Sequence, residues 1–326
     1  MIALVATLLP VSEAAAAYPG KPGPITYNKY RDVEVFNEEN GLLEIHPEGG
    51  LFSHGPRQVE GPRELTAEPN DVHPAYSPDG RLIAFTSSRG QEGLERTSQL
   101  FLMRADGTGV RQLTDDEAGS GGPYFSPDGR RLVFVRSHHL WLLTIATGAE
   151  RQLTFGKGAD NEPVFTPSGK RILFASNRSS GGGRNDSSDI WAIGSDGRNP
   201  RVLVDEAGSE VSPEISPNGK RIAFVVQQGP YYGYGNLRIA RSDGHVLRSL
   251  DEKPGPECRP CYGNPAWAPD GKHLVATEKS DNVGSTALMV MTPDGRHRRQ
   301  FDSGTVSTEG TGRHIGAAAW GARPRG

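Results

Sequence analysis

Apolar residues recur along the chain in short runs that are separated by turns rich in Pro, Asp and Gly. One such stretch, HPAYSPDGRLIAF (73–85), places two apolar runs on either side of Ser-Pro-Asp-Gly. Pro fixes φ at the second position of a tight turn, and Gly accepts the positive φ that such turns require. The pattern therefore predicts two short antiparallel strands joined by a tight turn.

This hairpin pattern occurs five times. The later copies are GPYFSPDGRRLVF (122–134), EPVFTPSGKRILF (162–174), SPEISPNGKRIAF (212–224) and NPAWAPDGKHLVA (264–276). An Asp beside a Gly in a tight loop can be a catalytic carboxylate, but the position of Asp79 is occupied in the other copies by Asp128, Ser168, Asn218 and Asp270. Because Ser and Asn do not ionise near neutral pH, we predict that Asp79 shapes the turn.

A second hairpin pattern follows each copy after a variable loop. These segments are LFLMRADGTGVRQLT (100–114), LWLLTIATGAERQLT (140–154), DIWAIGSDGRNPRVLV (189–204), LRIARSDGHVLRSL (237–250) and LMVMTPDGRHRRQF (288–301). Asp-Gly or Thr-Gly between apolar runs indicates a hairpin. Each unit therefore has four strands. Equivalent first-strand residues lie 40–52 positions apart, at Tyr76, Phe125, Phe165, Ile215 and Trp267. Four strands in about 40–50 residues are typical of propeller blades.

The two ends of the chain supply the parts of one more blade. IGAAAWGARPRG (315–326) resembles a first strand, while ITYNKY (25–30), GLLEIHPEGG (41–50) and PRELT (62–66) supply the other strands. We predict an all-β fold, a six-bladed β-propeller of four-stranded antiparallel blades that is closed by sharing the C-terminal strand with the N-terminal blade. The predicted single domain covers 18–326, with blades at 316–321 plus 25–66, 72–115, 122–155, 161–204, 211–250 and 264–301.

The N-terminus predicts export. An apolar run from Ile2 to Val11 precedes the small residues Ala14–Ala17, which is typical of a secretory signal peptide over residues 1–17. The positive n-region is missing, which favours a start codon upstream of Met1. A buried N-terminal strand is the alternative. The run is too short to span a bilayer.

The two cysteines, Cys258 and Cys261, lie in ECRPCYG. In an exported protein this spacing favours a local disulfide. A thioredoxin-like redox pair or half of a zinc site are the alternatives. With 36 Lys and Arg against 39 Asp and Glu, the chain lacks the basic excess of a nucleic-acid binder, so we predict no nucleic-acid partner.

The repeat HPAYSPDGRLIAF…QLFLMRADGTGVRQLT resembles the TolB-type propeller repeat over about residues 25–321. The resemblance implies a six-bladed propeller that acts as an interaction module of the cell envelope. We expect the chain to lack the N-terminal α/β domain that precedes the propeller in TolB. Prolyl-oligopeptidase-type enzymes carry similar propellers beside a hydrolase domain, but the sequence contains no G-x-S-x-G nucleophile motif.

The candidate site lies on the face that carries the loops between second and third strands and between blades, here called the top face. In a propeller the first strand of each blade is the inner strand, which lines a channel along the axis. We expect the residues that precede each inner strand to surround the channel mouth; these are Asp71, His73, Asn161, Glu162, Glu210, Asn264 and His314. They could bind a divalent cation or form a solvated polar lining, and we predict the polar lining, with no cofactor. Three aromatic residues in one loop, Tyr231, Tyr232 and Tyr234, could bind a partner or pack over a blade edge.

These features favour an exported, non-enzymatic propeller in the periplasm or secreted medium that binds an envelope or secreted protein or peptide. We expect a monomer. One alternative is a metal-dependent propeller enzyme similar to sugar-acid lyases. Another is a regulatory propeller for a separate peptidase chain.

Overall fold

The computed structural model describes residues 21–37, 42–55, 61–90, 97–182, 187–227, 234–250, 260–280, 285–303 and 313–322. The predicted signal segment, residues 1–17, lies outside these ranges. The signal segment and the domain boundaries therefore stay predictions.

The described residues form six separate four-stranded antiparallel sheets, and the predicted fold is confirmed. Blade 1 contains β1 (Pro22–Asn37), β2 (Leu42–His54), β3 (Arg63–Glu64) and β24 (Arg313–Ala322). Its strand order is β24-β1-β2-β3. The C-terminal strand β24 is therefore the inner strand of the blade that β1 begins, as the sequence predicted.

The other blades each use four consecutive strands. Blade 2 contains β4 (Val72–Tyr76), β5 (Leu82–Ser87), β6 (Gln99–Arg104) and β7 (Arg111–Gln112). Blade 3 contains β8 (Ser120–Phe125), β9 (Arg131–Arg136), β10 (His139–Thr144) and β11 (Ala149–Gln152). Blade 4 contains β12 (Asp160–Phe165), β13 (Arg171–Ser176), β14 (Asp189–Gly194) and β15 (Arg201–Val204).

Blade 5 contains β16 (Ser209–Ile215), β17 (Arg221–Gln227), β18 (Asn236–Arg241) and β19 (Val246–Ser249). Blade 6 contains β20 (Cys261–Trp267), β21 (Leu274–Ser280), β22 (Ser285–Met291) and β23 (Arg299–Ser303). The helical content of the described ranges is one 3₁₀ turn, Arg178–Ser180. Within those ranges, no helix has the length and hydrophobicity needed to cross a bilayer.

The Ser-Pro-Asp-Gly turns are stabilised by hydrogen bonds to the side chain of their Asp residue. Asp79 accepts hydrogen bonds from the Ser77 hydroxyl at 2.6 Å and from the Arg81 backbone N–H at 3.1 Å. Gly80 adopts a φ of 69°, which a side chain would disfavour. The same contact pattern is repeated at Asn218, which does not ionise. The prediction that Asp79 is a turn residue is confirmed.

The hydrophobic core lies between neighbouring blades. One position of the second strand carries a fully buried phenylalanine in four consecutive blades, at Phe85, Phe134, Phe174 and Phe224. Phe134 packs in one cluster with Phe125 of its own blade and Phe165 of the next. Because each sheet is covered on both faces, the second strands are apolar at adjacent positions rather than at alternating ones.

A candidate binding channel along the propeller axis

The inner strands of all six blades surround a channel with a volume of about 900 Å³. Loops of the top face, including Thr97, Gly119 and His138, extend its wall. Small-molecule and cofactor pockets fall in the same size range, roughly 300–1,000 Å³. The channel is therefore large enough to admit side chains or a short segment of a partner.

A β-bulge in each of blades 2 to 6 sets the upper ring of the channel. In each bulge a residue with positive φ precedes a proline; these residues are His73 (50°), Gly122 (61°), Glu162 (53°), Ser212 (51°) and Asn264 (46°). The strand register shifts at the same place, for example between Asn161 and Val164. Proline has no N–H to donate, so it is tolerated on an inner edge strand at a bulge. The bulge brings all five residues into the channel lining.

Positive φ is unfavourable for residues other than glycine and costs on the order of 1–3 kcal/mol at each site. Blade 3 avoids this cost with Gly122, whereas His73 and Glu162 do not. The strain at these two positions supports a role for their side chains beyond folding.

A lower ring lies two residues further along the inner strands. Four blades place Ala75, Val164, Ala266 and Ala319 at this position, while blades 3 and 5 place Tyr124 and Glu214 there. The Tyr124 hydroxyl donates to Glu214 Oε1 at 3.1 Å. The Trp267 indole N–H donates to the Glu214 backbone carbonyl at 3.1 Å. Blade 3 thus holds the Glu214 carboxyl group in the channel, and blade 6 holds the Glu214 backbone.

Glu162 is held in a similar way by the neighbouring blade. The Ser212 backbone N–H donates to Glu162 Oε2 at 2.6 Å, and the Ser212 hydroxyl contacts Oε1 at 3.0 Å. The side chain of Glu162 is open to the channel. Both carboxyl oxygens are therefore fixed in place, with lone pairs still free to accept from a ligand.

Protein atoms surround these groups even though water reaches them through the channel. The resulting desolvation raises the pKa of the Glu214 carboxyl to about 8. Burial also raises the pKa of Glu162, against the lowering effect of the two Ser212 hydrogen bonds. Burial lowers the pKa of His73, so its imidazole is neutral at pH 7. The surroundings of these three groups therefore favour their neutral forms.

Among the residues that the sequence placed at the mouth, His73, Asn161, Glu162 and Asn264 line the channel. Asp71 lies outside the lining: its side chain is fully buried and forms an ion pair with Arg89. Glu210 is also fully buried outside the channel lining, where it accepts a 3.2 Å hydrogen bond from the Glu206 backbone N–H. Both residues precede the bulge by two positions and so point away from the axis.

Glu210 differs from its counterpart in blade 4. There Asp160 is paired with Arg178, whereas the described surroundings of Glu210 contain the acidic residues Asp189 and Asp205. Burial, followed by these two neighbouring carboxylates, raises the pKa of Glu210 to about 8. Its Oε1 atom has no hydrogen-bond partner within the described part of the chain. We infer that Glu210 is protonated at neutral pH.

The remaining predicted residues lie partly outside the described ranges. Tyr231 and Tyr232 lie outside them, as does the side chain of His314, whose backbone pairs with Tyr30 in blade 1. Tyr234 is half-buried, with Lys279 Nζ 5.7 Å from its ring centroid. Cys261 is disulfide-bonded; Cys258 lies outside the described ranges, so their pairing stays a prediction.

The sequence analysis missed Tyr124, Glu214, Ser212 and His138, which also line the channel. A signal for two of them was present in the repeat. Tyr124 and Glu214 are the polar members of an inner-strand position that is apolar in the other copies. Over the described residues, no three His, Cys, Asp or Glu side chains lie close enough together to hold a metal ion.

Raising the pH from 5 to 9 is expected to destabilise the protein. The pKa of Glu214 is about 8 in the folded protein against an ordinary value of 4.5, so the folded state holds a proton that the unfolded state has released. Unfolding free energy therefore falls as the pH rises through this window. Urea titrations at several pH values measure this loss. Between pH 5 and 9 the unfolding free energy of Glu214→Gln should fall by on the order of 1–3 kcal/mol less than that of wild type. Glu64→Gln, at an exposed carboxylate of β3, is the control and should keep the wild-type slope.

Comparison with known proteins identifies the family. Residues 116–311, more than half of the chain, match the TolB beta propeller domain. TolB from Acinetobacter baumannii superposes with a TM-score of 0.70 at 21% identity, covering 92% of this chain and 67% of that one. This likeness shows a shared fold.

Two sequence relatives match over shorter segments. The uncharacterized protein Atu1656 of Agrobacterium fabrum is 44% identical over 62 residues, which are 19% of this chain and 20% of Atu1656. The uncharacterized peptidase YuxL of Bacillus subtilis is 37% identical over 70 residues, 22% of this chain and 10% of YuxL. The matches thus span a fifth or less of these relatives. On the match over residues 116–311 and the six closed sheets, the chain belongs to the TolB β-propeller domain family.

Proposed function

We propose that this protein is an exported, non-enzymatic propeller that binds a protein or peptide segment at its top face and channel mouth. The observation that carries the proposal is the open channel of about 900 Å³, whose upper ring presents polar side chains on strained backbone. A purely structural axis would be expected to use glycine at these positions, as blade 3 does. Residues on strained backbone are found preferentially at binding and catalytic sites.

The top face also offers an exposed apolar contact, in a loop between two blades. Phe155, in the connection from blade 3 to blade 4, is 67% exposed. Exposed aromatic side chains next to polar groups are common anchors of protein interfaces. Phe155 would supply affinity, and the polar upper ring would supply specificity.

Export is part of the proposal and has two supports. The first is the apolar run from Ile2 to Val11 followed by Ala14–Ala17. The second is the disulfide at Cys261, since structural disulfides persist mainly in oxidising compartments. We therefore expect the partner to be an envelope or secreted protein.

Capture of a partner from a cell-envelope extract tests this function. Wild-type protein is expected to retain a defined partner that Phe155→Ser loses, because the substitution removes the exposed aromatic contact. Leu247→Ser is the matched control: Leu247 is a 44% exposed apolar residue of β19 on the outer rim, so its loss should leave capture intact. Equal capture by Phe155→Ser and wild type, or loss of capture in Leu247→Ser, would contradict binding through the top face.

A regulatory propeller of a separate peptidase is the second candidate. The segment of 70 residues that is 37% identical to the YuxL peptidase favours it. The same capture experiment separates the two candidates, because a peptidase among the retained proteins would support regulation of that enzyme.

A further inference from the structure

The titratable groups of the channel include acids but no strong base. In the described part of its lining, two glutamates face the channel and no lysine or arginine does. The other described titratable groups there are His73, Tyr76, Tyr124 and His138. The side chains of residues 313–317 lie outside the description. The described lining therefore offers acceptors for a cation and no cation of its own.

The two glutamates are held as a linked pair. Ser212, which fixes both oxygens of Glu162, lies two residues before Glu214 on the same strand, β16. Glu214 is positioned in turn by Tyr124, from a blade that is not its neighbour. The Trp267 indole of blade 6 donates to the Glu214 backbone carbonyl, so residues of blades 3 to 6 all contribute to this arrangement. Preorganised acceptors of this kind bind a ligand without a further cost of ordering.

The neighbouring wall suits the aliphatic part of a long cationic side chain. Trp267 and Trp320 line the same channel, together with the alanines of the lower ring and the prolines that follow the upper-ring residues. Arginine and lysine carry apolar stems that pack on such surfaces while their charged ends reach polar groups. Indole rings also attract cations.

We propose that the channel binds an ammonium or guanidinium group, presented by a lysine or arginine side chain or the free N-terminus of a partner segment, between Glu162 and Glu214. This inference rests on the proposed function, since it names the chemistry of the bound segment. A free polyamine presents the same chemistry and is distinguished in the test.

Binding is expected to release protons. Burial raises the pKa of both carboxyl groups, to about 8 for Glu214, and an adjacent cation favours their ionised forms. Affinity should therefore rise with pH. Guanidinium stays charged throughout this pH range. A change in its affinity with pH therefore reports the titration of channel residues.

The test uses the full protein and two tripeptides, acetyl-Ala-Arg-Ala-amide and its citrulline analogue, which is neutral and nearly isosteric. Trp267 and Trp320 report occupancy by fluorescence. The arginine peptide is expected to bind at least about tenfold more tightly than the citrulline peptide at pH 8.5. Its affinity should fall about tenfold or more at pH 6.5, where a proton competes for Glu214.

Calorimetry in phosphate and Tris at one pH should show an enthalpy difference that reports proton release. Glu214→Gln should lose most of the charge discrimination and most of the pH dependence. Because glutamine resembles the protonated carboxyl group, this variant should still fold at pH 7, which its melting curve checks. Spermidine is the third probe: binding of spermidine but not of the arginine peptide would assign the site to free polyamines.

Equal binding of the arginine and citrulline peptides would overturn the proposal, as would absence of any response to arginine peptide and spermidine up to about 10 mM. Either result would leave the capture that depends on Phe155 intact. If no partner is captured from the envelope extract, the peptide and spermidine titrations can still be measured. The proposed function and the cation site can therefore be tested independently.

Discussion

Deletion of residues 315–326 is expected to abolish cooperative folding. The deletion removes most of β24, the inner strand that closes the ring by pairing with β1, with Trp320 opposite Ile25 in the register. The Trp320 indole N–H also donates to the Gly23 carbonyl at 3.1 Å. Without this strand, blade 1 has an unpaired inner edge.

The energetic effect is large because the strand covers buried groups on both sides. Ile25 and Tyr27 are fully buried in the cluster that includes Ala318 and Trp320. Exposing a buried side chain of this size costs about 1.5–3 kcal/mol. On the other side, Gly321 lies so close to Tyr76 that a Cβ would be 3.0 Å from the ring. Domains have about 5–15 kcal/mol of stability in total, so losing these contacts removes most of it.

Thermal unfolding followed by circular dichroism measures the outcome. The truncated chain is expected to show no cooperative transition, while deletion of residues 323–326, which follow β24, should melt like wild type. Addition of a synthetic peptide covering 313–326 should restore a transition if the missing strand is the cause. A chain lacking 315–326 that melts within about 3 °C of wild type would contradict closure by this strand.

Much of this fold was predictable because local chemistry specifies it. The Ser-Pro-Asp-Gly turns carry their own hydrogen-bond acceptor, as Asp79 shows, so each hairpin could be read without knowledge of the rest. Closure was predictable because Trp320 continues the spacing of the inner strands.

The candidate site was less predictable because it depends on contacts between blades. The hydrogen bond from Tyr124 to Glu214 joins residues 90 positions apart, and no local pattern encodes that distance. For Asp71 the prediction failed in the opposite way, because the sequence placed at the channel mouth a residue that lies outside the lining. It precedes an inner strand, as His73 does, but the bulge turns only the later residue toward the axis, and Asp71 pairs with Arg89. A bulge changes which side chains of a strand share a face. Its position became clear only from the pairing register of the first and second strands in the structure.

Asp160→Ala is expected to lower the unfolding free energy by about 3–5 kcal/mol. Asp160 is fully buried at the start of β12, where it accepts from Arg178 at 2.5 Å and from the Ser176 hydroxyl at 2.6 Å. The Arg178 guanidinium lies over Phe174 and Trp191, at 5.4 and 5.2 Å from their ring centroids. Removal of the carboxylate leaves this largely buried cation without its partner.

The arrangement recurs in blade 2, where Arg89 pairs with Asp71 and lies over Phe85 and Phe101. The recurrence indicates that the ion pair fastens the second strand of a blade to its inner strand near the top face. The inner strands carry the channel residues, so loss of the pair in blade 4 should also loosen the position of Glu162.

Urea denaturation of three variants tests this account. Asp243→Ala is the control, because its ion pair with Arg241 is more than half exposed on both sides and exposed pairs contribute about 0–1 kcal/mol. Asp160→Ala/Arg178→Met removes both charges and should be more stable than Asp160→Ala alone, since the uncompensated cation is the source of the loss. If Asp160→Ala costs no more than Asp243→Ala, the pair does not fasten the blade. If the double variant is instead less stable than Asp160→Ala, the packing of Arg178 on its aromatic neighbours, rather than its charge, holds the strands together.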